Sequence, residues 1–213
     1  MAKWSQALPG CSGHIHQSLS DGKKNLFFDT KSERSMSPLF ESYLAGQIAC
    51  LMDFAPMFWP TINSYKRLVD GFWAPVKPTW GIDNRTASFR VIAGSPKATR
   101  LETRCPGADV NPYLAMAAVI DTEAVIAAGL HGVEKGLKLT AAPITGTNQG
   151  ADHIPRAPRS LIETTRIFQR SDIARDWLGD TFVDHFAATR EWEHRQWQDA
   201  VTDWELKRYF EII

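Results

Sequence analysis

Residues 84–104 read Asn84-Arg85-Thr86-Ala87-Ser88-Phe89-Arg90-Val91-Ile92, then a Gly94-Ser95-Pro96 turn, then Lys97-Ala98-Thr99-Arg100-Leu101-Glu102-Thr103-Arg104. The β-branched and aromatic residues on either side of that turn predict two strands, Thr86 to Ile92 and Thr99 to Arg104. Alternation places Arg100, Glu102 and Arg104 on one face of the second strand, with Leu101 and Thr103 opposite. Charges in the middle of a strand are costly unless they pair with one another or meet a ligand. Glu102 could ligate a hard divalent cation, and the guanidinium groups could fork onto phosphate or carboxylate oxygens. A surface salt-bridge ladder of small energetic worth is the competing reading of the same residues.

Working outward, Gly10-Cys11-Ser12-Gly13-His14-Ile15-His16-Gln17-Ser18 reads as a glycine-rich turn followed by a strand. Period two then puts His14, His16 and Ser18 on one face and Ile15 and Leu19 on the other. Two imidazoles and a hydroxyl suit a metal or a phosphate, although a half-exposed polar strand face would look the same. Asn63-Ser64-Tyr65-Lys66-Arg67 adds a further arginine. The whole chain balances 24 Lys plus Arg against 24 Asp plus Glu, yet residues 61–105 hold eight cations and three acids. That local surplus points to an anionic ligand, whereas the neutral whole gives no reason to seek nucleic acid or an anionic membrane. Taken together, five arginines (Arg67, Arg85, Arg90, Arg100, Arg104), Lys97, His14, His16 and Glu102 describe a site for a metal-bound polyphosphate plus a carboxylate. No Walker loop and no GxGxxG is present, which excludes P-loop and Rossmann sites as far as motifs allow.

The rest of the chain predicts an α+β fold, with strands early and helices late. His14 to Ser20, the turn Asp21-Gly22 and Lys23 to Asp29 read as a hairpin. Ser37-Pro38 opens a helix carrying Phe40, Leu44, Ile48, Leu51 and Ala55, ending near Pro56. Residues 60–84 are rich in proline and glycine and read as loop with short extended pieces. Asn111-Pro112 starts a second helix, apolar nearly all round as far as Ile126, with Gly129 as its cap. Ala141 to Pro158 reads as a long exposed loop. Ser160-Leu161-Ile162-Glu163 is a capping box, and Thr181-Phe182-Val183-Asp184 opens a last helix towards Tyr209. Trp177, Trp192, Trp197 and Trp204 are expected to pack between helices. Three cysteines without a CxxC pair fit a reducing cytosol, and Met1-Ala2-Lys3-Trp4-Ser5 lacks a signal-peptide core. The expectation is a cytoplasmic protein.

Five motifs in order carry a family resemblance: GCSGHIHQSL (10–19), NSYKRLVDGFWAP (63–75), DNRTASFRV (83–91), PKATRLETR (96–104) and GADVNPYLAMAAVI (107–120), with WELKRYF (204–210) as a family-like ending. They resemble the catalytic half of the glutamine synthetase family. Trp80-Gly81-Ile82-Asp83-Asn84-Arg85-Thr86 and Gly107-Ala108-Asp109 are similar to the γ-glutamylpolyamine synthetases and related glutamate–amine ligases. The resemblance implies an antiparallel sheet packed with helices, as in the C-terminal part of that catalytic domain, over residues 1–213. The family's N-terminal β-grasp domain has no counterpart in this stretch.

The resemblance also implies ATP-dependent ligation through a γ-glutamyl phosphate, with ATP and Mg2+ or Mn2+ as cofactors and glutamate plus a small amine or ammonia as substrates. By the same match, His14 and Glu102 are metal ligands, and His16, Ser18, Arg90, Lys97 and Arg100 contact the nucleotide. Arg85 stabilises the transferred phosphoryl group, Arg67 and Arg104 hold glutamate's carboxylates, and Gly10 gives it a backbone contact. Trp73 stands where the family presents an ammonium-binding glutamate, which favours an organic amine as acceptor. Ordinary glutamine synthesis from ammonia and a non-catalytic structural role are the alternatives. Family members form homo-oligomers, and the resemblance leaves the state of this chain open.

Overall fold

Four short segments hydrogen-bond into one sheet in the computed structural model, which describes residues 1–114, 125–147 and 151–212. They are β1 (Ile15–Gln17), β2 (Trp80–Ile82), β3 (Phe89–Ile92) and β4 (Arg100–Thr103), in the order β1-β4-β3-β2. β4 lies antiparallel to both β1 and β3, but β2 runs parallel to β3, so the sheet is mixed rather than antiparallel throughout. The parallel pair is joined by residues 83–88 alone, a short link for two parallel neighbours. The link is held by side chains. Asn84 Oδ1 accepts from the Thr86 amide at 2.9 Å, and Asn84 Nδ2 donates to the carbonyls of Ile144 and Gly146.

The expected hairpin is reduced to its turn. Asp21 Oδ1 accepts from the amides of Lys23 and Lys24, and only a single bridge joins Ser20 to Asn25. β1 pairs with β4 instead, and Asn25 spends its side chain on the carbonyls of Pro96 and Thr99.

Register sorts the sheet into two faces. Phe89, Val91 and Leu101 enter the hydrophobic core, together with Phe40, Leu44 and Phe54. Gln17 and Thr103 lie on the same buried side, where an apolar wall would leave their polar atoms unsatisfied. A closed network solves this: Gln17 Nε2 donates to Thr103 Oγ1, Tyr43 Oη donates to Gln17 Oε1, and Thr103 Oγ1 donates to Gln47 Oε1. The opposite face carries His16, Arg90, Arg100 and Glu102.

The helices are α1 (Pro38–Cys50), α2 (Ala55–Phe58), α3 (Ile62–Arg67), α4 (Val125–Glu134), α5 (Leu161–Arg170), α6 (Asp172–Leu178), α7 (Asp180–Asp199) and α8 (Asp203–Tyr209). Ser37 caps α1, accepting from the Phe40 amide at 3.1 Å. α1 stops at Cys50, and Pro56 sits in the first turn of α2 rather than ending α1. α3 replaces part of the expected loop, started by a Thr61–Ser64 capping box. The capping box at Ser160 opens α5 as expected. The last helix is two: α7 ends at Asp199, and a Thr202–Glu205 box starts α8. Trp192, Trp197 and Trp204 are exposed rather than packed, while Trp177 meets the His131 ring edge-on. The expected helix from Asn111 lies largely outside the described residues.

Gly129 does not cap a helix. It lies inside α4, where a Cβ would stand 2.1 Å from the Tyr43 ring of α1. Gly46 of α1 faces Ala128 the same way, with its Cβ position 1.9 Å from that carbonyl oxygen. Glycines on both helices let the two backbones touch. In an ordinary helix Gly→Ala stabilises by up to about 1 kcal/mol. Gly46→Ala should instead destabilise by roughly 2 kcal/mol or more through overpacking, read as a lower urea midpoint.

Candidate functional site

Cross-strand pairing assembles the charged face. His16 of β1 and Arg90 of β3 both stand opposite Glu102 of β4. The Glu102 side chain is 3% exposed. Its Oε1 accepts from Arg104 Nη1 at 2.7 Å and lies 3.0 Å from His14 Nδ1, and its Oε2 accepts from Arg90 Nη1 at 2.9 Å. His16 Nε2 is further off, at 3.9 Å. Arg100 does not pair with Glu102: its Nε donates to His16 Nδ1 at 3.1 Å, and its Nη1 to the Ala98 carbonyl.

Burial pushes the Glu102 carboxyl upwards, but the Arg90 hydrogen bond and the charges of Arg104, His14 and Arg90 outweigh it and hold it below the usual carboxylate value. His14 is lowered by burial first and then by the Arg104 charge, against the pull of Glu102, which keeps a ring nitrogen lone pair available at neutral pH. His14 and Glu102 could therefore share a cation. Among the described residues no group of three or more His, Cys, Asp or Glu could hold a metal ion, so these two side chains are at most part of a coordination shell.

Two of the expected residues turn inward. Arg67 is 1% exposed, with Nη1 donating to the Cys105 carbonyl and Nη2 to Ser12 Oγ, each at 3.0 Å. Arg104 adds a bond from Nε to the Arg85 carbonyl. Gly10 packs on the Arg67 stem so closely that a Cβ there would stand 2.9 Å from its Cγ. Lys97 and Ser18 are exposed at the rim, beside the sheet. Arg85 is exposed too and makes no ion pair among the described residues. It lines a cleft of about 510 Å3 with Trp73, which is 60% exposed and sits at φ 61°, a backbone region uncommon for a bulky residue.

The structure adds groups that sequence reasoning passed over. Asp83, at φ 49°, accepts from Arg90 Nη2 at 2.9 Å, so Arg90 bridges two carboxylates. Asp109 Oδ2 receives the hydroxyls of Thr61 and Ser64 and pins the start of α3, which ends in Arg67. Asp83 lies inside a motif already singled out. Its pairing across the β2–β3 link was the part that spacing could not give.

The fold and this charge pattern define an α+β protein whose sheet gathers arginines and histidines around one buried carboxylate. Comparison places it more closely. The family model described as the glutamine synthetase catalytic domain matches residues 1–209, and the chain belongs to the glutamine synthetase family. Relatives include type-1 glutamine synthetase 2 of Dictyostelium discoideum (51% identical, 100% of this chain, 40% of the relative) and glutamate–isopropylamine ligase of a Pseudomonas species (39%, 100%, 46%). A γ-glutamylethanolamide synthetase of Streptomyces coelicolor is 41% identical over 99% of this chain and 43% of its own length. Ligand-free GmaS matches with a TM-score of 0.79 at 28% identity, over 95% of this chain and 45% of that one. The GmaS complex with ADP gives 0.78, also at 28% identity, over 94% and 46%. The chain thus spans less than half the length of each of these relatives.

Glu102→Gln keeps the shape and removes the charge that Arg90 and Arg104 share. It should cost about 3 kcal/mol at neutral pH. Because the folded carboxyl is depressed, its contribution is complete above the unfolded carboxyl's pKa and fades as pH falls towards the folded one. The gap between wild type and variant in urea unfolding should therefore narrow between pH 7 and pH 3.

Proposed function

We propose that this chain carries the catalytic face of an ATP- and divalent-cation-dependent ligase that joins the γ-carboxylate of glutamate to an amine through a γ-glutamyl phosphate. The observation that carries the reading is the sheet face on which His14, Arg90 and Arg104 meet the buried Glu102, with the His16–Arg100 pair beside them. Phosphoryl transfer asks for positioned cations more than for covalent help. GmaS, which shares the fold, has been solved with ADP.

In this reading His14 and Glu102 hold Mg2+ or Mn2+. The cation would neutralise charge between the phosphates of ATP and the attacking carboxylate. His16, Ser18, Arg90, Lys97 and Arg100 take the nucleotide. Arg85, unpaired at the cleft, meets the transferred phosphoryl group. Arg67 and Arg104 spend their N–H groups on Ser12, Glu102 and backbone carbonyls, so their part is to make the floor beside Gly10 positive for glutamate's carboxylates.

The acceptor is an organic amine. Trp73 lines the cleft at Arg85, where an indole covers hydrocarbon and attracts an ammonium through its π face. An isopropylamine ligase and an ethanolamide synthetase among the relatives support this. Ammonia as acceptor is the second reading, favoured by the relative named as a type-1 glutamine synthetase.

Turnover with glutamate, Mg–ATP and a panel of amines against ammonium tests the choice. The account expects kcat/KM for the best small amine to exceed that for ammonium, and Trp73→Glu to reverse the order. Ammonium matching every amine would contradict it. Lys97→Ala removes an exposed cation with no partner among the described residues, so it should weaken binding of a Mg–ATP analogue about tenfold with an unchanged unfolding midpoint.

A further inference from the structure

The cleft beside Arg85 has a one-sided chemistry. Between Trp73, the link after β2 and residues 143–147, its wall is hydrocarbon: Ile82, Pro143, Ile144 and the indole. The wall is fixed in place, because Asn84 ties the Arg85 loop to the carbonyls of Ile144 and Gly146 at 3.1 and 3.0 Å. A smaller hollow of about 300 Å3 lies on the Asp70 and Ala74 side of Trp73.

Both carboxylates at these margins have their charge balanced by an arginine. Asp83 is bonded by Arg90 and Asp70 by Arg156 Nη1. The Thr86 hydroxyl already has two acceptors within reach of its one hydrogen, Asn84 Oδ1 at 2.7 Å and the Gly146 carbonyl at 3.0 Å. Among the described lining residues, Arg85 is the only charge left without an ion-pair partner, and it is positive.

We infer that this cleft seats the substituent of the acceptor amine and selects a short uncharged tail, alkyl or hydroxyalkyl, against a tail ending in a second ammonium. The inference rests on the ligase reading above and adds the class of amine. A second ammonium entering here would leave water for a hydrocarbon wall, find only carboxylates already balanced by an arginine and face Arg85 across the cleft. A methyl group in the same place loses nothing and covers Ile82, Ile144 and the indole. Ile82 is the specificity-determining position, since it is 42% exposed at the mouth of the cleft.

The test is calorimetric titration of three γ-glutamyl compounds matched in all but the tail: the butylamide, the 4-aminobutylamide and glutamine. The butylamide should bind about tenfold more tightly than the aminobutylamide and more tightly than glutamine. Ile82→Asp supplies a carboxylate with no arginine partner at an exposed position and should reverse the order of the two amides without moving the unfolding midpoint. Equal or tighter binding of the aminobutylamide to the unmodified chain, no binding by any of the three, or an unchanged order in Ile82→Asp overturns the inference. Glutamine binding as tightly as the butylamide defeats the organic-acceptor reading and this inference with it. Equal binding of the two amides above weak glutamine defeats this inference alone.

Discussion

A carboxylate at 3% exposure survives in a fold only if cations are brought to it, and the architecture around Glu102 is arranged to bring them. Three strands contribute or flank the partners. β4 supplies Glu102 and leads into Arg104, β3 supplies Arg90, and the turn before β1 supplies His14. Slip either ladder by one residue and the opposing charge would turn to the core face. Register and electrostatics therefore enforce each other. The buried side of the same strands has its own lock in the bonds among Gln17, Thr103, Tyr43 and Gln47, so the charged face rests on a satisfied polar layer rather than on loose hydrocarbon.

Arg90 extends this arrangement towards the cleft. Its two terminal nitrogens hold Glu102 and Asp83, and Asp83 stands two residues before Arg85. Arg104 does something similar from the other side, giving one bond to Glu102 and another to the Arg85 carbonyl. The backbone that carries the unpaired Arg85 is thereby tied to the same carboxylate that faces His14. Because these arginines neutralise the acids around them, Arg85 is left as an unbalanced positive charge at the cleft. The His14 end and the cleft end are thus held by one set of short bonds, which is the coupling that the proposed reaction between a phosphoryl group and an acceptor requires.

The charged face was legible in the sequence because a strand's period of two writes it directly: Arg100, Glu102 and Arg104 alternate with Leu101 and Thr103, and the strand pair around Gly94-Ser95-Pro96 is local. The partner of β1 was not legible. Asp21-Gly22 is a strong turn signal, and the sequence offers no local sign that residues 15–17 would pair with residues 101–103 instead. Prolines at 60, 75 and 78 dominate the stretch and hide α3, although Thr61 and Ser64 spell its capping box. A glycine chosen for contact with Tyr43 looks the same in sequence as one chosen for its backbone freedom, so Gly129 reads as a helix stop. Likewise Arg67 and Arg85 are both arginines in family motifs, and only the fold shows one buried against carbonyls and the other open at a cleft.

The central claim is that this face transfers a phosphoryl group from ATP to the γ-carboxylate before an amine arrives. The most direct measurement uses glutamate labelled with 18O in that carboxylate, with Mg–ATP and an amine, followed by mass analysis of the products. The account predicts ADP and inorganic phosphate carrying one labelled oxygen, because the acyl phosphate leaves with an oxygen of the substrate. Label appearing in AMP, or phosphate released without label, would contradict it.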